Sequence, residues 1–262
     1  SLRIPRVILL ISKFFAFIST KLVTLFSSYL FTTPIKHKVP KRELEMDRKS
    51  IQNLMLVPAI NKQVMIYEYG ESDKKILLVH GWSGRGTQLF KIADAFLAAG
   101  YSTLSFDAPA HGKSPGNESI MVDFIASILE INTKYGPFEA VVGHSLGGMS
   151  VLNAIKRGLN VKHAVIIGSG DVVQDILDDF ISKLELKPII STKLRLHFEK
   201  KYNEKMDDFS GYKAASEITI PVLVIHDKDD HEVPVKAGIH IHEHLKNGEL
   251  ILTEGLGHRK IL

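Results

Sequence analysis

The stretch Val141–Ser150, VVGHSLGGMS, sets one serine between two glycines directly after an apolar run. Upstream, FEAVV reads as a buried strand. Downstream, LGGMSVLNAIKRG has helical period and stops at Gly158. A G-x-S-x-G pentapeptide at such a junction forces a sharp strand-to-helix turn that holds its serine strained and exposed. Gly143 and Gly147 lack Cβ atoms, so strand, turn and helix can pack closely there. The helix also points its N-terminus at Ser145, which favours negative charge beside it.

The rest of the chain supplies a frame for that turn. QVMIYEYGES, KKILLVHG, YSTLSFDAP, VKHAVIIGSG, PVLVIHD and GELILTEG read as further strands. QLFKIADAFLAAG, SIMVDFIASILEINTKYG and VKAGIHIHEHLKNG read as helices between them. This alternation predicts an α/β fold, a mostly parallel sheet with helices on both faces. Between Gly170 and Ser216 the strand pattern is absent and the period is helical, with a break at Pro188. We read residues 171–215 as a small helical cap inserted between two strands. Residues 63–262 then form the sheet domain. Residues 1–62 form an N-terminal helix and a connector over 32–62.

The N-terminal stretch Val7–Phe31 is apolar but interrupted by Lys13 and Lys21. At 100° per residue, Ser12, Lys13, Ser19, Thr20, Lys21, Thr24, Ser27 and Ser28 share one side of a helix. Leu22, Leu25, Phe26, Tyr29 and Leu30 share the other, while Ala16 and Phe17 break the pattern. The first expectation is a helix packed on its own domain. Contact with a membrane surface or a partner through residues 7–31 is the second, marked by an apolar patch left uncovered. Targeting is the third, opposed by the early Lys13 and the lack of an A-x-A-like cleavage site.

Composition closes off other classes. The 262 residues contain no cysteine, which excludes disulfides, thiolate nucleophiles and cysteine-held metals. That absence fits a cytoplasmic location, with membrane association the alternative. Net charge is +4 with the cations dispersed, so no nucleic-acid partner is expected.

A serine needs a base in reach and a third group to orient that base. For this turn type the chain order is serine, acid, histidine. PVLVIHD runs into KDDHEVP, and ELILTEG runs into LGHRK. Both segments follow strand ends, where open α/β sheets place their sites. His258 is the base, and Asp227, Asp229 and Asp230 are the candidate acids. Two of the three are expected to be solvated turn residues. One oxyanion donor is the N–H of Leu146. A second comes from the loop His80-Gly81-Trp82-Ser83-Gly84.

Taken in order, HGWSG, FDAPAHGKS, GHSLGG, HDKDDHEVP and GLGH resemble the α/β-hydrolase family of serine-hydrolase type, over Val64 to the end of the chain. The resemblance implies Asp230 as the acid, Trp82 as the second oxyanion donor and His144 as a neighbour of the nucleophile. It also implies a cap that shapes an acyl pocket. His80, Gly81, His144 and His111 are the pocket candidates. The family pattern continues past the histidine with a helix on the sheet, whereas Leu262 follows four residues after His258. We expect the N-terminal helix to cover apolar surface of the sheet domain.

Other signals fail. A phosphate loop ending Gly112-Lys113-Ser114 needs a glycine where Asp107 stands. In HIHEH, a zincin pattern begun at His242 needs histidine where Lys246 stands, and His240 and His244 read as a solvated helix face. No metal and no organic cofactor are expected. The expected reaction is hydrolysis of a carboxylic ester or thioester, a small-molecule acyl substrate, through acyl-Ser145. Cleavage of C–C or amide bonds on the same fold and non-catalytic ligand binding are the alternatives.

Overall fold

The computed structural model describes residues 4–262; the first three residues of the N-terminal segment lie outside the described residues. Eight strands form one sheet in the order β1-β2-β4-β3-β5-β6-β7-β8. They are β1 (Ile51–Val57), β2 (Lys62–Tyr69), β3 (Lys75–Val79), β4 (Ser102–Asp107), β5 (Phe138–His144), β6 (Val161–Ile167), β7 (Val222–Asp227) and β8 (Gly248–Thr253). The first two run antiparallel to their neighbours, and all pairings from β3 to β8 are parallel. The sheet is thus mostly parallel, as the alternation of strands and helices requires.

The helices are α1 (Arg6–Ile18), α2 (Thr20–Thr32), α3 (Leu44–Lys49), α4 (Phe90–Ala98), α5 (Met121–Tyr135) and α6 (Leu146–Lys156). They continue with α7 (Val173–Lys183), α8 (Ile189–Tyr202), α9 (Gly211–Glu217), α10 (Lys236–His244) and α11 (Gly257–Lys260). Alternate strand residues feed two cores. Leu77, Val79, Val141 and Ile166 pack with α5, α6 and the α7–α8 segment. Ile76, Leu78, Val142 and Ile167 pack with Met46 of α3 and Leu89 and Ala93 at α4. The second face thins towards the last strand: Ile167 is buried, its register partner Ile225 is half-buried, and Ile251 on β8 is exposed.

Three expectations change here. Residues 32–62 are more than a connector, because they contain α3 and the edge strand β1. In β1 only Met55 and Val57 are buried, so IQNLMLV has little alternating signal to read. The N-terminal helix is two helices, divided where Ser19 adopts extended dihedrals and caps α2. These helices do not cover the thin second face. Instead α2 packs on α8, with Phe31 against Phe180 at 5.1 Å and Phe198 at 5.6 Å.

The helical wheel separates two sides without saying which one the body takes. Ser12, Thr24, Ser27, Ser28 and Thr32 face inward together with Val23, while Leu10, Phe14, Phe17, Leu22, Leu25 and Tyr29 face outward. Small side chains let the helices approach closely. The Thr24 and Thr32 hydroxyls bond carbonyls one turn back in their own helix, which lowers the cost of burying them.

The sheet edge near Ser145 is braced from the segment before β1. Glu43 is buried and accepts from Arg85 Nη1 and Thr87 Oγ1, both at 2.8 Å. This ties residues 41–49 to the chain that leaves β3. Arg85→Ala strands a buried carboxylate, a change that costs about 3–5 kcal/mol. Urea unfolding of the variant is expected to show a loss of that size.

Candidate active site

Ser145 sits at the tip of β5 with φ 55° and ψ −120°, a region costly for a residue with a side chain. Its N–H donates to Ile167 O on the neighbouring strand at 2.9 Å, and its carbonyl accepts from Gly148 N at 2.9 Å. The backbone around it leaves no room for more atoms. A Cβ on Gly147 would lie 2.5 Å from the carbonyl oxygens of Val79 and His80. A Cβ on Gly81 would lie 2.9 Å from Cβ of Ser145. Glycine at these positions lets β3 and its following loop press against the serine turn.

His258, in the short helix α11 that follows β8, reaches this turn. Its Nε2 is 3.0 Å from Ser145 Oγ, and its Nδ1 is 2.7 Å from Asp230 Oδ2. Asp230 Oδ1 accepts from the N–H groups of Glu232 and Val233, each at 2.8 Å. Burial pushes the Asp230 carboxyl up. The nearby His226, the hydrogen bond from His258 and the Val233 N–H outweigh burial and hold it well below the usual carboxylate range. His226 Nε2 donates to Val233 O at 2.9 Å and lies 3.5 Å from Asp230 Oδ2. Of the three candidate acids, the structure therefore brings Asp230 to the histidine.

Asp229 is exposed in the turn after β7, as expected, whereas Asp227 is not a solvated turn residue. Asp227 is fully buried. Its carboxylate accepts from the N–H groups of Asp229, Leu256 and Gly257 and from Thr253 Oγ1. Asp229 accepts from Gly255 N at 2.8 Å. A further bond closes the set: His144 Nε2 donates to His258 O at 2.9 Å, with the two rings 4.7 Å apart. Side chains from β5 and the end of β7 thus hold the loop that carries His258. The clustered aspartates were visible in the sequence, but their acceptors' partners are backbone groups that no side-chain motif reveals.

The N–H groups of Trp82 and Leu146 have no hydrogen-bond acceptor among the described residues. The Trp82 side chain is 36% exposed and stands edge-on to His111, with centroids 5.1 Å apart. The pocket candidates His80, Gly81, His111 and His144 are buried behind this rim rather than open to it. His80 takes a hydrogen bond from Ala108 N on Nε2, and its Nδ1 donates to Gly81 O. His111 donates from Nδ1 to Pro109 O.

Burial drives the three rings towards the neutral form, His80 well below the ordinary range and His111 and His144 down to about 4. The adjacent His111 lowers His80 further, and His258 lowers His144 further.

The HIHEH face is also not merely solvated. His240 Nδ1 bonds the buried Asp171, and His240 and His244 pack around Tyr212, joining α10 to α9. Among the described residues no group of three His, Cys, Asp or Glu could hold a metal ion.

A family model described as "Alpha/beta hydrolase family" matches residues 76–216. Solved structures share the fold. A bromoperoxidase from Bacillus anthracis has 19% identity and a TM-score of 0.61 over 79% of this chain and 93% of its own. An esterase from Exiguobacterium antarcticum has 17% identity and a TM-score of 0.62 over 81% and 94%. A membrane phospholipase A, described as a bacterial virulence factor, has 17% identity and a TM-score of 0.63 over 84% of each chain. A search of curated protein sequences returned no match.

Two expectations follow from the geometry. Asp227→Ala removes the acceptor for Leu256 and Gly257, so their amide hydrogen exchange should accelerate about tenfold or more while β4 amides stay protected. The buried histidines set an acid limit. Their folded pKa values lie below the unfolded value of about 6.5, so the unfolded chain binds more protons. Stability measured by urea titration should fall as pH drops from about 6.5 to about 4.

Proposed function

The chain belongs to the alpha/beta hydrolase family, and we propose that it is a serine hydrolase cleaving carboxylic esters or thioesters through an acyl-Ser145 intermediate. The observation that carries this reading is the continuous path Asp230 Oδ2–His258–Ser145 Oγ, ending on a serine held in a strained turn.

In this reading His258 Nε2 takes the Ser145 proton as Oγ attacks the acyl carbon. Asp230 keeps the Nδ1–H tautomer and stabilises the imidazolium that forms. Its low-lying pKa supports that role, since it stays ionised across the working range. The developing oxyanion accepts from the free N–H groups of Trp82 and Leu146, aided by the N-terminus of α6. His258 then protonates the leaving group. Water, activated by the same histidine, releases the acid and restores Ser145. The buried neutral His144 fixes the backbone of His258 without competing for its proton.

Two measurements test the proposal together. A fluorophosphonate probe should attach to Ser145, located by mass spectrometry. Ser145→Ala should lower kcat on p-nitrophenyl esters by on the order of 10⁶. An unlabelled serine, with wild type no faster than the variant at any acyl length, would overturn ester hydrolysis. It would favour amide or C–C cleavage or ligand binding.

A further inference from the structure

The N-terminal helices carry an apolar stripe on their outward side. On α1, Val7, Leu10, Ile11, Phe14, Phe17 and Ile18 recur at helical spacing and are exposed, with Leu10 at 67%, Phe14 at 60% and Phe17 at 91%. Leu22, Leu25 and Tyr29 continue the stripe along α2. Ile35, the next exposed apolar residue, donates its N–H to Ser83 Oγ at 3.0 Å, beside the half-exposed Trp82. The stripe therefore runs from α1 to the rim of the candidate site. An uncovered stripe of this extent marks an interaction surface.

Charge identifies the partner. Residues 1–42 contain eight Lys and Arg and no Asp or Glu. The remaining 220 residues carry 25 basic and 29 acidic side chains, a formal −4. The positive net charge of the protein thus resides in this segment. Arg6, Lys13 and Lys21 flank the apolar residues on the helices, and Lys36, Lys38, Lys41 and Arg42 follow, all exposed. Lys13 also pairs with Glu185 of the cap.

No helix among the described residues is long and apolar enough to cross a membrane. Thirteen residues span about 20 Å, short of the ~30 Å hydrocarbon core. Small residues on the inward side beside Val23, with Leu10, Phe14, Phe17, Leu25 and Tyr29 left uncovered on the outward side, match helices whose outer solvent is lipid.

We propose that α1, α2 and Ile35 dock on the surface of an anionic lipid bilayer. The helices lie in the plane of the interface, and the cations rest on acidic headgroups. Such docking turns the Trp82 rim, and with it Ser145, towards the lipid. The binding itself does not depend on the proposed chemistry.

Flotation of the full chain with vesicles tests it. Vesicles of phosphatidylcholine with 30% phosphatidylglycerol are compared with phosphatidylcholine alone, at ~0.1 M and ~0.5 M salt. Expected is co-flotation with the anionic vesicles that weakens at high salt. Phe14→Ser with Phe17→Ser should lower the partition coefficient by on the order of 100-fold, with an unchanged melting temperature. Arg6→Glu with Lys21→Glu should abolish the preference for phosphatidylglycerol. The two pairs do not share a folding risk, since all four side chains are exposed. Failure to float with either vesicle overturns the proposal. A salt-independent dimer seen by sedimentation and lost in the Phe14/Phe17 variant overturns it in favour of a second copy of this chain. Ester hydrolysis on a soluble substrate, run in parallel, keeps the two readings separate.

Discussion

A serine does not stay at φ 55° and ψ −120° unless its surroundings hold it there. The hold is the pairing of β5 with β3 on one side and β6 on the other. The Ser145 N–H is fastened to Ile167 at the end of β6, and Gly81 leaves just enough room for the loop after β3. Parallel strands with crossover helices are what deliver three strand ends to one place from distant parts of the chain. The sheet, its glycines and its loops can be understood as the means of sustaining one unfavourable turn.

Strands β3, β5 and β6 could be read from the sequence because buried parallel strands announce themselves as apolar runs closed by a glycine. That Ser145 and His258 would meet could be read because the turn motif and the chain order narrow the choice. Other features depend on what lies opposite in space. The strand Ile51–Val57 places the apolar Leu54 and Leu56 on its exposed side beside the buried Met55 and Val57, and so lacks the alternation that marks a half-buried strand. Asp227 looked like a solvated turn residue because its partners include backbone N–H groups 29 and 30 positions later. A helical wheel separated the two faces of residues 7–31 but could not tell which face the body takes, since small residues also make a tight interface.

The neutral histidines show how one environment serves two ends. His80, His111 and His144 lie in the water-poor base of the site, where a charge would be costly. Two of them spend ring protons on the carbonyls of Gly81 and His258, fixing the loop before the rim and the loop that bears the base. The same burial that makes these rings rigid supports also makes the base of the site sensitive to acid.

The strand that precedes His258 is the least protected of the eight. β8 is at the sheet edge, with Ile251, Leu252 and Leu256 exposed on or just after it. Local opening in a protein begins where few apolar contacts resist it. Fraying of β8 separates His258 from Ser145 while the interior strands remain paired. The order in which the fold loosens therefore turns on how far the bonds from Asp227 and His144 hold the His258 segment when this peripheral strand opens.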